Sequence, residues 1–392
     1  LFDFDHTKKN PFLVNGGYLV KYRNTPITFL QACCILFLST GLLNHVILIP
    51  LLLRTVERDG WISILIAMIL TICWLPLLLF IIRRQRGTSL FSWITQQSSA
   101  WFAWIIIGLF ILYLLSDIYV TTLDMTMWTK ISYLPQTPVF LVAASIILLS
   151  ILCALSGIQR LAICAGIILP IVLLLGYFVM GANFQYKNYS LLLPILENGY
   201  FPVLRGAMIV GNGMVEIIFL LMLQHHISTS ITFKKAVWLC ILLAGLTLGP
   251  YMGAVASFGP KEAANQMYPS FEQWRLVTIG KYIEHVDFLS IFQWLSGAFI
   301  RVSLALFLIY DILPIKKRGH QILVTVLSGS LIVVIILLHT KDPLLIDSFK
   351  RIYFPLALFV LLAISLLLAF IGSWSKQNAR GTDEHAKGSK ST

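Results

Sequence analysis

Two side chains stand where chemistry is needed to keep them. Glu216 and Arg301 each interrupt a long apolar run, 204–223 and 288–313. An ionised group in a low-dielectric interior requires a counter-charge, ordered dipoles or a wet cavity. A guanidinium keeps its proton at every working pH, so Arg301 is a permanent positive charge, with Glu216 and Asp311 as candidate partners. Snorkelling from a tilted helix is the rival account of Arg301. Three roles stand open for Glu216: a proton-coupling carboxylate, a contact for a ligand amine, or half of a structural ion pair.

Beside Glu216 lies Gly211-Asn212-Gly213, and an earlier run, 27–53, holds a similar helix-weakening cluster, Ser39-Thr40-Gly41, followed by Asn44 and His45. Interrupted helices within a bilayer are tolerated where the freed peptide groups line a protein cavity. Freed N–H groups suit a carboxylate and freed carbonyls suit an ammonium, so two such breaks can hold a zwitterion. Tyr113 in the third run can add a phenol at mid-depth, or it can simply pack. The candidate ligand site is therefore Ser39, Thr40, Gly41, Asn44, Tyr113, Gly211, Asn212, Gly213 and Glu216, with Arg301 and Glu216 as a charge pair. The alternative for the glycines is close helix packing. His225-His226, beside Ser228 and Thr229, suggests metal or proton transfer but reads first as a cap at the membrane interface. No metal or cofactor is expected.

The elements that must position these groups follow from composition. Hydrophobic residues make up 58% of the chain and charged residues 12%, with a mean hydropathy of +0.85. Such a chain is a polytopic membrane protein. The net charge of +12 is divided among short loops, which serves membrane orientation and excludes a compact nucleic-acid face. All six cysteines fall in apolar runs without ligand-like spacing. HExxH, GxSxG and phosphate-cradling glycine loops are absent from the sequence, and the chain is not expected to be an enzyme.

Ten runs are long enough to span: 27–53, 61–82, 101–123, 139–155, 161–180, 204–223, 236–258, 288–313, 322–338 and 352–371. Basic residues concentrate on one side, in Arg83-Arg84-Gln85-Arg86, Arg160, Lys234-Lys235 and Lys316-Lys317-Arg318, so both termini are expected in the cytoplasm. The segment 1–26 is too polar for a cleaved signal sequence, and insertion is expected to rely on the first span. The outer loop 259–287 is expected to carry structure of its own, such as a surface helix, and 373–392 to form a disordered tail. Interruptions at corresponding places in spans one and six point to an inverted repeat with halves at about 27–180 and 204–372.

Several stretches resemble the B subunits of the GerA-type spore germinant receptors. Pro194 to Gly206 reads PILENGYFPVLRG, similar to the loop before the sixth span in that family. Gln31, Pro50, Arg58-Asp59-Gly60-Trp61-Ile62-Ser63, Ser89-Leu90-Phe91, Tyr113 and Thr137-Pro138 agree in the same order. Farther on come Tyr268-Pro269-Ser270, the stretch Tyr282-Ile283-Glu284-His285-Val286-Asp287, Trp294 and Arg301. The sequence departs from the family in having Gly41 alone in the first span, His285 in place of an arginine, and no proline after Glu216. The resemblance implies a LeuT-like fold of the amino acid/polyamine/organocation superfamily in the inner spore membrane. It also implies A and C subunits as partners and a small germinant, often an amino acid, as ligand. Ligand identity does not transfer. The competing function is an amino acid secondary transporter of the same fold.

Overall fold

The computed structural model describes residues 26–278, 285–339 and 343–388. The described residues contain nine helical runs long and apolar enough to cross a membrane. The first, Phe29–Gln85, has 57 residues, about 85 Å of helix at 1.5 Å per residue and far more than one bilayer crossing needs. Glu57, at φ 54°, ends its first part and Gly60 begins the second, so this run is two crossings and the expected ten spans are present.

The first span is built from Phe29–Leu42, a π-helical turn Leu43–Ile47 and Leu48–Val56. Thr28 and Gln31 form a reciprocal capping box at its start, which accounts for the Gln31 noted in the sequence. The second span is Gly60–Gln85, the third Ala100–Ser132, the fourth Val139–Ser156 and the fifth Ile158–Ala182. Only Gly157 separates the fourth from the fifth, at φ 96°, a conformation that glycine adopts without steric cost. The sixth span, Tyr200–His226, passes from α-helix (Tyr200–Met214) through a 3-10 turn (Val215–Ile218) and back to α-helix (Phe219–Leu223). The seventh is Phe233–Phe258, the eighth Leu289–Ile312 and the ninth Arg318–His339. Phe349–Ser373 is the tenth, within a helix from Pro343 to Gly388. That helix takes in most of the tail expected to be disordered. The segment 1–25 lies outside the described residues.

Packing follows a five-plus-five pattern. The second span packs on the seventh, the third on the eighth and the fourth on the ninth. The first packs on the fifth and seventh, and the sixth correspondingly on the tenth and second. Adding five to each member of these pairs returns a pair in the set, and an offset of five crossings reverses direction, so the repeat is inverted.

The interruptions expected in spans one and six are present near the expected places, and this backbone gives their form. Both stay helical and change their hydrogen-bonding step, to a π turn in one and a 3-10 turn in the other. The physical reason is the medium: an unpaired peptide group in hydrocarbon costs several kcal/mol, and a change of helical step alters register with fewer orphaned groups than unwinding. Gly211-Asn212-Gly213 lies in the α-helical part. A Cβ built on Gly213 would fall 1.6 Å from Asn44 Oδ1, and one on Gly206 would fall 2.5 Å from Ser63 Oγ. These glycines let the sixth span approach the first and second closely.

The loop 259–287 holds two short helices, Pro260–Asn265 and Pro269–Arg275. The second does not lie on the surface. Phe271 and Trp274 are buried, and Phe271 sits edge-on to Trp128 of the third span, which in turn lies 4.4 Å from Trp294 of the eighth. Gly213→Ala is expected to lower stability by about 1–3 kcal/mol through overpacking. Gly166→Ala, with nothing within 4 Å of its Cβ, is expected to be neutral. Thermal unfolding of the two purified variants checks this pair, and an unshifted Gly213→Ala would contradict the close approach.

Candidate functional site

Arg301 stands in the middle of the eighth span, 1% exposed, and all five of its N–H donors are taken. Nε donates to Thr121 Oγ1 at 3.1 Å. One terminal nitrogen donates to the backbone carbonyl of Ser39 at 2.9 Å and to Glu216 Oε2 at 2.7 Å. The other donates to Glu216 Oε1 and to Asp117 Oδ1. Tyr113 completes the cluster by donating its phenol to Glu216 Oε1 at 2.8 Å. One guanidinium thus joins spans one, three, six and eight.

The first span's irregularity explains how a peptide carbonyl is free to take part. In an α-helix Ser39 O would accept from the N–H of Leu43, four residues on. Leu43 instead donates to Thr40 O as the chain tightens before the π turn. The carbonyl released at Ser39 is the one that Arg301 holds. The cluster of Ser39, Thr40 and Gly41 therefore does present backbone toward the interior, and a guanidinium of the same chain occupies it.

Other residues expected at the site divide into those near the cluster and those in helix contacts. The Ser39 and Thr40 hydroxyls are buried and have no hydrogen-bond partner among the described residues. Gly41 faces Leu246 of the seventh span, at 2.6 Å from a notional Cβ, and Gly211 faces Leu358 of the tenth. Asn44, within the π turn, approaches Met214 Sδ with its amide nitrogen at 3.9 Å and leaves Oδ1 unpartnered against Gly213. Asn212 Oδ1 is buried and, among the described residues, unpartnered as well. Asp311 is not a partner of Arg301. It lies ten residues on, nearly three helical turns, and accepts hydrogen bonds from His225 and His226.

Sequence reasoning missed Asp117 and Tyr353. Asp117 follows Tyr113 by four residues, so the two share a face of the third span, and that spacing was the available signal. Tyr353, from the tenth span, stacks on Tyr113 with ring centroids 6.5 Å apart and carries a buried phenol with no hydrogen-bond partner among the described residues. A second charge pair was missed in the same helix: Asp124 receives Lys350 at 2.5 Å, fixing the tenth span to the third.

Two carboxylates meet a single guanidinium. With all three ionised the cluster carries one uncompensated negative charge, and Asp117 Oδ2 is buried with no hydrogen-bond partner among the described residues. Taking such groups out of water costs several kcal/mol per ion, offset here by the filled donor set. Arg301→Leu is expected to destabilise the protein by about 3–5 kcal/mol, because it strands two carboxylates. Glu216→Gln keeps the shape and a carbonyl acceptor for Tyr113, so it is expected to cost less, about 1.5–3 kcal/mol. Unfolding of the purified variants in one detergent orders them, and equal losses would contradict the shared role of Asp117.

Away from this cluster, the motifs singled out in the sequence pack on one another. Arg58 pairs with Glu197 at 2.9 Å, and Asp59 Oδ1 accepts from the N–H of Leu196 at 3.0 Å. Ser63 donates to the carbonyl of Val203 at 2.8 Å. At the same end, a cavity of 640 Å³ is lined by Ser132, Tyr268, Glu272, Arg275, His285 and Asp287 among others. Tyr133 donates to the carbonyl of Asp287 at 2.9 Å, and burial pushes its phenol up to about 12, so it remains a donor at physiological pH. Residues 282–284 of the loop motif lie outside the described residues.

A family model described as "Spore germination protein" matches residues 27–343. Spore germination protein XB of Bacillus anthracis is 42% identical over 358 residues, covering 90% of this chain and 99% of that protein. Putative spore germination protein YfkT of Bacillus subtilis is 23% identical, over 66% of this chain and 71% of its own length. A solved structure of a mutant manganese transporter from Eremococcus coleocola overlaps at a TM-score of 0.47 and 11% identity, covering 86% of this chain and 78% of that one. With a matching model across most of its length and a close relative across nearly all of it, the chain belongs to the spore germination protein family.

Proposed function

We propose that this multi-pass membrane protein is the germinant-sensing subunit of a spore germinant receptor, working with A and C subunits in the inner spore membrane. Its ligand is a small germinant bearing an ammonium group, in the first instance an amino acid. The observation that carries this reading is the unbalanced charge at Arg301: two carboxylates on one guanidinium, with Asp117 Oδ2 left over. An ammonium is a compact positive charge with three donors, suited to that oxygen.

A ligand shifts a conformational equilibrium only as far as it binds one state better than another. Arg301 supplies the difference, because from the eighth span it shares its donors among three others. A cation at Asp117 draws that carboxylate from Arg301, and the donor released must be re-used or buried unpaired. Either outcome changes how spans one, three, six and eight pack, which partner subunits then read. A guanidinium cannot give up its proton, which favours a sensor over proton-driven pumping.

The test is binding of free amino acids to the purified chain in nanodiscs, followed by thermal shift. At least one amino acid is expected to raise the unfolding temperature, its N-acetyl derivative to fail, and Asp117→Asn to lose the shift while unfolding cooperatively without ligand. Equal response to the N-acetylated compound, or an undiminished shift in Asp117→Asn, would refute the ammonium contact. Counterflow of labelled amino acid through liposomes holding this chain alone would establish the transporter reading instead.

A further inference from the structure

The sixth span ends in a 3-10 turn, Gln224–His226, which sets two consecutive histidines against the last turn of the eighth span. Successive side chains on such a turn point about 120° apart, so two neighbours rarely reach the same atom group. Here both do. His225 Nε2 lies 3.2 Å from Asp311 Oδ2, and His226 Nε2 lies 3.0 Å from each oxygen of the same carboxylate. The two imidazole centroids are 4.0 Å apart, and one donor atom from each of the three residues falls within 4.8 Å of the others.

We propose that His225, His226 and Asp311 form a binding site for a divalent transition-metal cation, zinc foremost, that fastens the end of the sixth span to the end of the eighth. The donor set of two imidazole nitrogens and one carboxylate oxygen suits zinc. In a tetrahedral site with bonds of 2.0–2.2 Å, neighbouring ligand atoms are about 3.3 Å apart. The two nitrogen–oxygen separations already approach that edge, so loading requires only small movements. The three side chains are 11–17% exposed, which leaves solvent a route to the fourth position.

The surroundings hold the ligands in place. The backbone carbonyl of His226 accepts from the N–H of Ile27 at 2.8 Å, and the N–H of Ser228 donates to Ile27 O at 2.9 Å. This short parallel bridge pins the turn to the start of the first span. Phe307 packs on the His226 ring at 5.5 Å and Tyr310 on Phe307 at 5.2 Å, giving an apolar wall on the side of the eighth span. The site lies at the opposite end of the spans from the Arg58–Glu197 pair and does not depend on the germinant reading.

The test uses the full chain in detergent, purified with a tag free of histidine and stripped with chelator, then titrated with zinc alone and no amino acid present. One equivalent is expected to bind and to raise the unfolding temperature. Asp311→Asn, which keeps the side chain's shape, is expected to weaken binding at least tenfold. A second variant, His225→Ala, retains the hydrogen bonds between His226 and Asp311 and so the fold, and is expected to weaken binding as well. Absence of a saturable equivalent, or an affinity unchanged in both variants, overturns the proposal and leaves the three residues as a hydrogen-bonded clamp.

Discussion

A guanidinium in the centre of a membrane protein is stable only if nothing about it is left over, and around Arg301 nothing is. Its five donors meet five acceptors from three other spans. Each acceptor sits where it does for a separate reason: a hydroxyl on the third span, a carboxylate on a 3-10 turn, a carbonyl released by a π turn. Removing the cation would leave the rest costly to bury, so the helices around it are chosen to suit it. The surplus lies on the other side of the ledger, in the second oxygen of Asp117.

The two irregular spans show how hydrocarbon constrains such a design. Water would tolerate an open loop at mid-depth, whereas lipid penalises every unpaired peptide group. The first and sixth spans meet both demands by changing step within a continuous helix, which reorients a few groups at small cost. The glycines beside them serve approach. Asn44 lies against Gly213 so closely that a methyl group would have no room.

Much of this was legible in the sequence, for a physical reason: charge inside an apolar run is expensive enough to mark itself. Glu216 and Arg301 stood out on that ground, and their apposition follows from the same cost. The ten crossings were equally plain. Asp117 was missed although it lies within the third run, 101–123, between Ser116 and Ile118, because no partner for it could be named from spacing alone. The form of the interruptions was not readable. Glycine, serine and asparagine weaken an α-helix without saying whether the chain unwinds, widens or tightens, and that choice is made by packing. Asp311 illustrates the same limit from another side, since its span was clear but its face was not, and it turns to the histidines.

The released carbonyl of Ser39 has one further consequence. The group that fills it is tethered to the same polypeptide, so it behaves as an internal competitor that never diffuses away. Intramolecular partners act at effective concentrations of the order of millimolar or more. A free cation seeking that oxygen must overcome this standing occupancy before it gains anything. The protein thereby carries its own concentration threshold, set by covalent connection rather than by the intrinsic attraction between visitor and oxygen.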